Sequence, residues 1–476
     1  MTDVREYGEL FIGGAWTPPA VPAGPTEVLG AADGAVIGRV PAASPADVDV
    51  AVAAARAAFA GWAATPPTER AAYLAALREV VKARTDAFAE TISLEVGTPL
   101  TMSRRVQVGT PLAVLGSYAA MGSAYEWERE VGNSLLVREP VGVVGAITPW
   151  NYPLHQIVAK VAAALTAGCT IVVKPADVAP LTAFLLAEAL LEIGLPPGVV
   201  NIVSGDGPNV GEALARHPGI DMLSFTGSAA VGARVAALAG ANIARVGLEL
   251  GGKSANVILA DADLDRAVTA NVNYAYLNSG QTCSAWTRML IPRQLQDEAL
   301  AAAEKAVGRL TLGHPLAEGT RLGPLASAAQ QARVRGYIEA GEAEGARLVL
   351  GGADAPEGLE AGYYVRPTVF ADVRRDMRIA QEEIFGPVLA VLPYDSEDEA
   401  VDIANDSEYG LHGGVWSADP DHALAVARRL RTGQVDVNGG AWNPLAPFGG
   451  YKKSGLGREL GEAGLEEYLE IKAIQR

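Results

Sequence analysis

Four hundred and seventy-six residues are more than one hydrophobic core holds; at about 150 residues per domain the length points to roughly three. Apolar residues make up 49% of the chain and charged residues 20%, the balance of a globular enzyme rather than of a disordered chain. With 38 lysines and arginines against 55 acidic residues the formal charge is -17, which repels polyanions and excludes nucleic acid as an expected partner.

No stretch approaches the ~18 uninterrupted apolar residues of a membrane span, and the opening MTDVREYGELFIGG lacks the basic-then-apolar pattern of a secretory signal. Cys169 and Cys283 are too few for a disulfide framework or a four-thiolate site. A cytoplasmic chain with reduced thiols is therefore expected. His155, His217, His314, His412 and His422 are scattered with no two at ligand spacing, so no metal site is expected.

The first hundred residues read as alanine-rich and helical. Ser44 can cap a helix starting at Pro45 with Asp47 in its first turn, and Val48, Val52, Ala55 and Phe59 then form one apolar stripe. A second helix follows Pro67, with Leu74, Leu77 and Val81 on one face. From Val141 the texture changes. GVVGAIT (142–148), CTIVVK (169–174), GVVNIVS (198–204) and DMLSFT (221–226) read as buried strands, separated by helices at 154–168, 181–194 and near 208–215; a further helix at 227–240 follows the last of them. Repeated β-α-β units with near-continuous β-branched strands predict a parallel sheet covered on both faces, with ligands at the carboxyl ends of its strands. Those ends carry Pro149-Trp150-Asn151, Lys174-Pro175-Ala176-Asp177, Gly205-Asp206-Gly207 and Thr226-Gly227-Ser228. A second α/β region runs from LELGGKSANVIL (248–259) to about Gly450 and includes a polar helix and strand within 325–352. The alternating segments 128–140 and 466–476 are expected to pair with each other outside the main bodies.

Three polar residues stand in contexts that suit chemistry. Cys283, in SGQTCSAWTR, has small polar neighbours and a preceding glycine, so it is expected in a turn or at a helix start, where a helix N-terminus favours the nucleophilic thiolate. Cys169, opening CTIVV, reads as a buried small hydrophobe. Glu249, in VGLELGGK, is a carboxylate in an apolar run, either a general base raised by desolvation or a salt-bridged structural group. Asn151, in PWNYP, directly follows a strand; its amide either donates to an oxyanion or simply makes a turn. GDGPNVG (205–211) is one residue off the dinucleotide fingerprint, whereas GSAAVG (227–232) joins a strand to a helix whose first amides can face a pyrophosphate.

Taken together, PWNYP, KPAD, GLPPGVVNIVSGDG, FTGSAAVG, LELGGK, GQTCSA, EEIFGP and PFGGYKKSGLGRE stand in the order of the aldehyde dehydrogenase superfamily, which the chain resembles over nearly its whole length. The resemblance implies an α/β fold: a Rossmann-like parallel-sheet cofactor domain (1–120 and 141–251), an α/β catalytic domain (252–453) and a small β-ribbon oligomerisation element (121–140 and 454–476). It also implies NAD(P)-dependent oxidation of an aldehyde to a carboxylic acid. Cys283 would be the nucleophile, Glu249 the general base and Asn151, with the Cys283 N–H, the oxyanion hole. Glu459 would help relay protons. For the cofactor it implies Ile147, Trp150, Lys174, Asp177, Gly207, Gly227, Ser228, Gly232, Glu383 and Phe385. Tyr152, His155, Thr282, Ser284, Trp442 and Phe448 would line the aldehyde tunnel. Asp177 stands where many NAD-preferring relatives carry glutamate; a carboxylate there disfavours a 2′-phosphate, so NAD is expected, with room for some NADP use. The two aromatics Trp442 and Phe448 favour an apolar chain or ring. A homodimer or homotetramer is implied. CoA in place of water as the resolving nucleophile, and a cofactor-independent thiol esterase, are the competing readings.

Overall fold

The structure, a computed structural model, describes residues 4–476. Its first helix, Pro45–Ala63, starts where the sequence places it: the Asp47 carboxylate accepts hydrogen bonds at 2.7 Å from both the N–H and the hydroxyl of Ser44. The second helix spans Pro67–Ala83 and buries Leu74, Leu77 and Val81. The expectation of a wholly helical first hundred residues is corrected. Five short strands occupy residues 5–40, two of them on the edge of the principal sheet. They are only two to five residues long, too short to carry a period, and sheet neighbours far along the chain hold them.

That principal sheet has eight strands in the spatial order Gly455–Leu456, Arg245–Glu249, Met222–Thr226, Val143–Ile147, Thr170–Lys174, Val200–Ile202, Leu10–Ile12 and Ala15–Thr17. The middle five are parallel and almost fully buried, as their Val- and Ile-rich sequences require. Helices Pro153–Ala167, Leu181–Glu192 and Ala229–Gly240 supply the crossovers. The chain builds outward from Val143–Ile147 through two strands, then returns to place Met222–Thr226 on its other side. The order therefore reverses between these two neighbours, and a crevice opens beyond their carboxyl ends.

A second sheet has seven strands: Arg347–Leu350, Thr368–Ala371, Val388–Tyr394, Arg288–Pro292, Ala255–Ile258, Gly413–Trp416 and Asp436–Val437, all parallel apart from the first pair. The tail strand Leu469–Gln475 pairs antiparallel with Ser134–Pro140, which forms a hairpin with Glu128–Val131. The two alternating segments thus meet in a three-stranded ribbon apart from both large sheets. No helix among the described residues is long and apolar enough to cross a membrane.

Candidate active site

The crevice at the reversal point is a cleft of about 230 Å³. One wall comes from the strand ends of the first sheet: Pro149, Trp150 and Asn151 after Val143–Ile147, and Thr226, Gly227 and Ser228 at the end of and just beyond Met222–Thr226. The other wall comes from segments that precede strands of the second sheet, Cys283 before Arg288–Pro292 and Glu383 with Phe385 before Val388–Tyr394. Seven expected site residues, Trp150, Asn151, Gly227, Ser228, Cys283, Glu383 and Phe385, thus line one cleft. The Trp150 and Phe385 rings stand nearly perpendicular, 5.5 Å apart between centroids.

Cys283 lies in a turn that follows the short helical segment Leu277–Gly280, not at a helix start. The turn is the first of its two expected settings, and no helix N-terminus favours the thiolate there. Burial, with the Glu383 and Glu249 carboxyls nearby, pushes the thiol up to about 12; the Ser284 and Cys283 amides pull the other way. Cys169 is wholly buried and also held up to about 12, the inert thiol expected.

Glu249 ends the strand Arg245–Glu249, between Thr226 and Gly455. It is buried, its Oε2 has no hydrogen-bond partner, and burial together with the Glu459 charge raises its pKa well above the usual carboxylate value. The Lys160 ammonium, fully buried, donates to Thr226 Oγ1 at 2.8 Å and pairs with Glu459. Glu249 and Glu459 are thus held near one buried cation. Glu383 is half-buried, and desolvation raises it to about 7, although its Oε1 accepts the Gly252 N–H at 3.0 Å.

The amide of Asn151 donates one N–H to the Gln281 carbonyl at 2.9 Å; its second N–H has no partner among the described residues. Tyr152 OH shares a hydrogen bond with Thr282 at 2.8 Å, and Tyr274 OH one with Ser284 at 3.1 Å, so both neighbours of Cys283 are tied to a tyrosine. The His155 ring stands nearly perpendicular to that of the half-exposed Trp442 at 6.4 Å between centroids, and desolvation lowers the His155 pKa to about 4. The Phe448 and Glu459 backbones pair with each other.

Glu249 and Glu459 line a separate small cavity, and they lie, with Ile147, Lys174, Asp177, Gly207, Gly232 and the six expected aldehyde-tunnel residues, outside the lining of the cleft. Ile147 is packed in the core beneath it. Lys174 ends the adjacent strand, largely buried and with its pKa lowered by that burial, while Asp177 is exposed in the turn beyond. Gly207 opens a wide π-helical turn capped by Asp206. A Cβ on Gly232 would come within 2.5 Å of Leu250, so this glycine serves close packing of helix on strand end.

The sequence matches the aldehyde dehydrogenase family over residues 16–474. The chain belongs to the aldehyde dehydrogenase family. It is 48% identical to a 3-succinoylsemialdehyde-pyridine dehydrogenase of a Pseudomonas species, over 99% of both chains. Aldehyde dehydrogenase C of Pseudomonas syringae, solved as a cysteine-to-alanine variant with NAD+ and octanal, superposes with a TM-score of 0.97 at 49% identity, covering 98% of this chain and 96% of that one. An aldehyde dehydrogenase of Mycobacterium tuberculosis solved with NAD+ gives 0.96 at 46% identity, over 100% and 99%.

Five residues lining the cleft of this aldehyde dehydrogenase escaped the sequence reading: Gln156, Leu250, Gly251, Gln330 and Arg333. Gln330 and Arg333 stand three apart on one face of the helix Ala328–Ala343. Gln330 donates to the Phe385 carbonyl at 2.8 Å and Arg333 to the Glu383 carbonyl at 2.5 Å. They hold the loop in which Phe385 takes a left-handed φ of 65°. Gln156 carried a signal: it is polar within an apolar helix, and its buried Oε1 has no partner.

Proposed function

We propose that this aldehyde dehydrogenase oxidises a medium-to-long aliphatic or aromatic aldehyde to its acid with NAD+ through a Cys283 thioester, which water resolves. The observation that carries the reading is the convergence of Asn151, Cys283 and Glu383 on one cleft, with the buried Glu249 carboxyl close enough to raise the Cys283 thiol.

The residues present fit a dinucleotide. Ser228 caps the twelve-residue helix Ala229–Gly240, whose first amides suit a pyrophosphate. A Cβ on Gly227 would sit 2.5 Å from the Phe225 ring, so the wall is bare backbone there. Trp150, Gly227, Ser228, Glu383 and Phe385 would hold the group, with Lys174 and Asp177 at its adenosine end. When bound, it supplies a hydride acceptor. The NAD+ complexes of the two structural relatives support this choice.

Burial favours neutral Cys283, so attack runs through its small ionised fraction, the thiol proton having passed to water. The sulfur attacks the aldehyde carbon. The free Asn151 N–H and the Cys283 N–H meet the developing oxyanion, contacts of a kind worth about 3–4 kcal/mol. After oxidation a thioester remains on Cys283. Glu249 then removes a proton from water, the hydroxide oxygen bonds to the acyl carbon, the C–S bond breaks, and the acid leaves. Lys160 and Glu459 offer that proton a way out. A glutamate in this position supports water over CoA as the resolving nucleophile.

Tyr152, His155, Thr282, Ser284, Trp442 and Phe448 would line the aldehyde side. Octanal in the Pseudomonas syringae relative and the pyridine-bearing aldehyde in the name of the other support an apolar or aromatic substrate.

Glu249→Gln tests the reading. It is expected to give a burst of NADH equal to the enzyme present, followed by steady turnover reduced about 100-fold or more, within the range of general-base catalysis. Unchanged steady turnover removes Glu249 from its role. For the cofactor, NAD+ is expected to exceed NADP+ in kcat/KM, and Asp177→Asn to narrow the gap about tenfold, the equivalent of 1.4 kcal/mol.

A further inference from the structure

Behind Asn151 lies a ring of buried polar groups that none of the roles above uses. Thr98, Gln107 and Asn278 are each 2% exposed or less. Gln107 Nε2 donates to the Asn151 main-chain carbonyl at 2.9 Å and to Thr98 Oγ1 at 3.1 Å. Thr98 Oγ1 donates to Asn278 Oδ1 at 2.5 Å, and Asn278 Nδ2 donates to the same Asn151 carbonyl at 2.9 Å.

The direction of every bond in this ring follows from one fact: a carbonyl oxygen only accepts. Gln107 and Asn278 must both turn their NH₂ groups to Asn151, so Asn278 presents its oxygen to Thr98. The single hydroxyl proton of Thr98 is then committed to Asn278, and Thr98 Oγ1 is left to accept the second N–H of Gln107. Each proton is used once, and the amide orientations are fixed without ambiguity.

Unusual backbone brings these groups together. Gln107 comes from a π-helical turn, Ser103–Val108, a rare widening found mostly where function demands it. Asn278 and Ser279 are both left-handed, at φ 54° and 58°. Conformations of this kind cost about 1–3 kcal/mol each and persist only where their surroundings hold them. Gln281 extends the ring: its N–H and its Nε2 both bond to the Asn278 carbonyl at 3.1 Å, and its own carbonyl accepts the Asn151 amide. Both the peptide and the side chain of Asn151 are therefore gripped from the same cluster.

We infer that Gln107, locked through Thr98 and Asn278, is a positioning residue that aims the free Asn151 N–H at the reacting oxygen. This rests on the proposed role of Asn151 as oxyanion donor. A shift of about 1 Å at a reacting centre costs on the order of 100-fold, so loss of the ring acts on kcat.

The test compares Gln107→Leu, Asn151→Ala and their combination for kcat, KM and the rate at which iodoacetamide alkylates Cys283, a reaction that forms no oxyanion. Gln107→Leu is expected to lower kcat about 10- to 100-fold, with alkylation and the KM for NAD+ within about twofold, and to have no further effect in the Asn151→Ala background. Thr98→Val, equal in shape and lacking only the proton and its oxygen, is expected to lose a similar factor, which Thr98→Ser restores. Losses that multiply in the double variant, or alkylation that falls in step with kcat, overturn the inference while leaving Asn151 in its role. Full activity of Asn151→Ala alone overturns that role and the inference with it.

Discussion

Glu383 and Cys283 share a half-buried wall of the cleft, and desolvation favours the neutral form of each. With the thiol up at about 12, the reactive thiolate fraction grows tenfold for each pH unit below that value. Alkylation of Cys283 by iodoacetamide is therefore expected to rise with a slope near one between pH 7 and pH 10, and a flat profile would sink this account. Glu383 is the largest nearby charge opposing the thiolate, and it is itself ionised only above about 7. Glu383→Gln should accordingly speed alkylation several-fold at pH 9 and leave it nearly unchanged at pH 6. Lys160 poses the reverse case, a fully buried cation whose removal strands the carboxylate of Glu459, itself only 11% exposed. Lys160→Met is expected to cost about 3–5 kcal/mol in urea denaturation, the range for breaking a buried pair from one side. Lys160→Met with Glu459→Gln should recover part of that loss.

The elements that the sequence made legible are those whose determinants are local. The helix Pro153–Ala167 is apolar throughout apart from a few residues and stops at Gly168, which takes φ 95° as a left-handed cap. A Cβ there would sit 3.0 Å from the Arg70 guanidinium, so Gly168→Ala meets both backbone strain and a buried neighbour. It is expected to destabilise by about 1–2 kcal/mol, read as a lower midpoint at unchanged urea dependence. Cys283 and Asn151, which line the cleft, stood out for a similar reason, since their own short segments mark them. Gln107 and Gln330 did not. Gln107 bonds to Asn151, 44 positions away, and Gln330 to Phe385, 55 positions away, and nothing in their own segments marks them. The π-helical turn that carries Gln107 is equally silent, because its extra residue is set by what it packs against.

At the scale of the whole molecule, the three-stranded ribbon is the part whose exposure a single chain does not explain. Leu469–Gln475 forms an edge strand, and all of it beyond Leu469 is exposed, including Ile471 at 61% and Ile474 at 42%. Val131, at 49%, adds to the same small sheet. An exposed edge with apolar side chains is a ready site for another strand, and proteins that do not use such edges guard them with charge or proline. Here Lys472 is already neutralised by Glu139 across the ribbon, which weakens that guard. The homodimer or homotetramer that the resemblance implies follows if a second chain covers this surface, and its state is measurable by sedimentation. Ile474→Lys puts a charge in place of an exposed apolar side chain of the edge strand without touching any residue of the cleft. It is expected to shift the chain toward smaller species at micromolar concentration, with kcat per active site little changed in whatever chain remains folded. An unaltered sedimentation profile would move the subunit contact elsewhere on the surface and leave the ribbon needing another explanation.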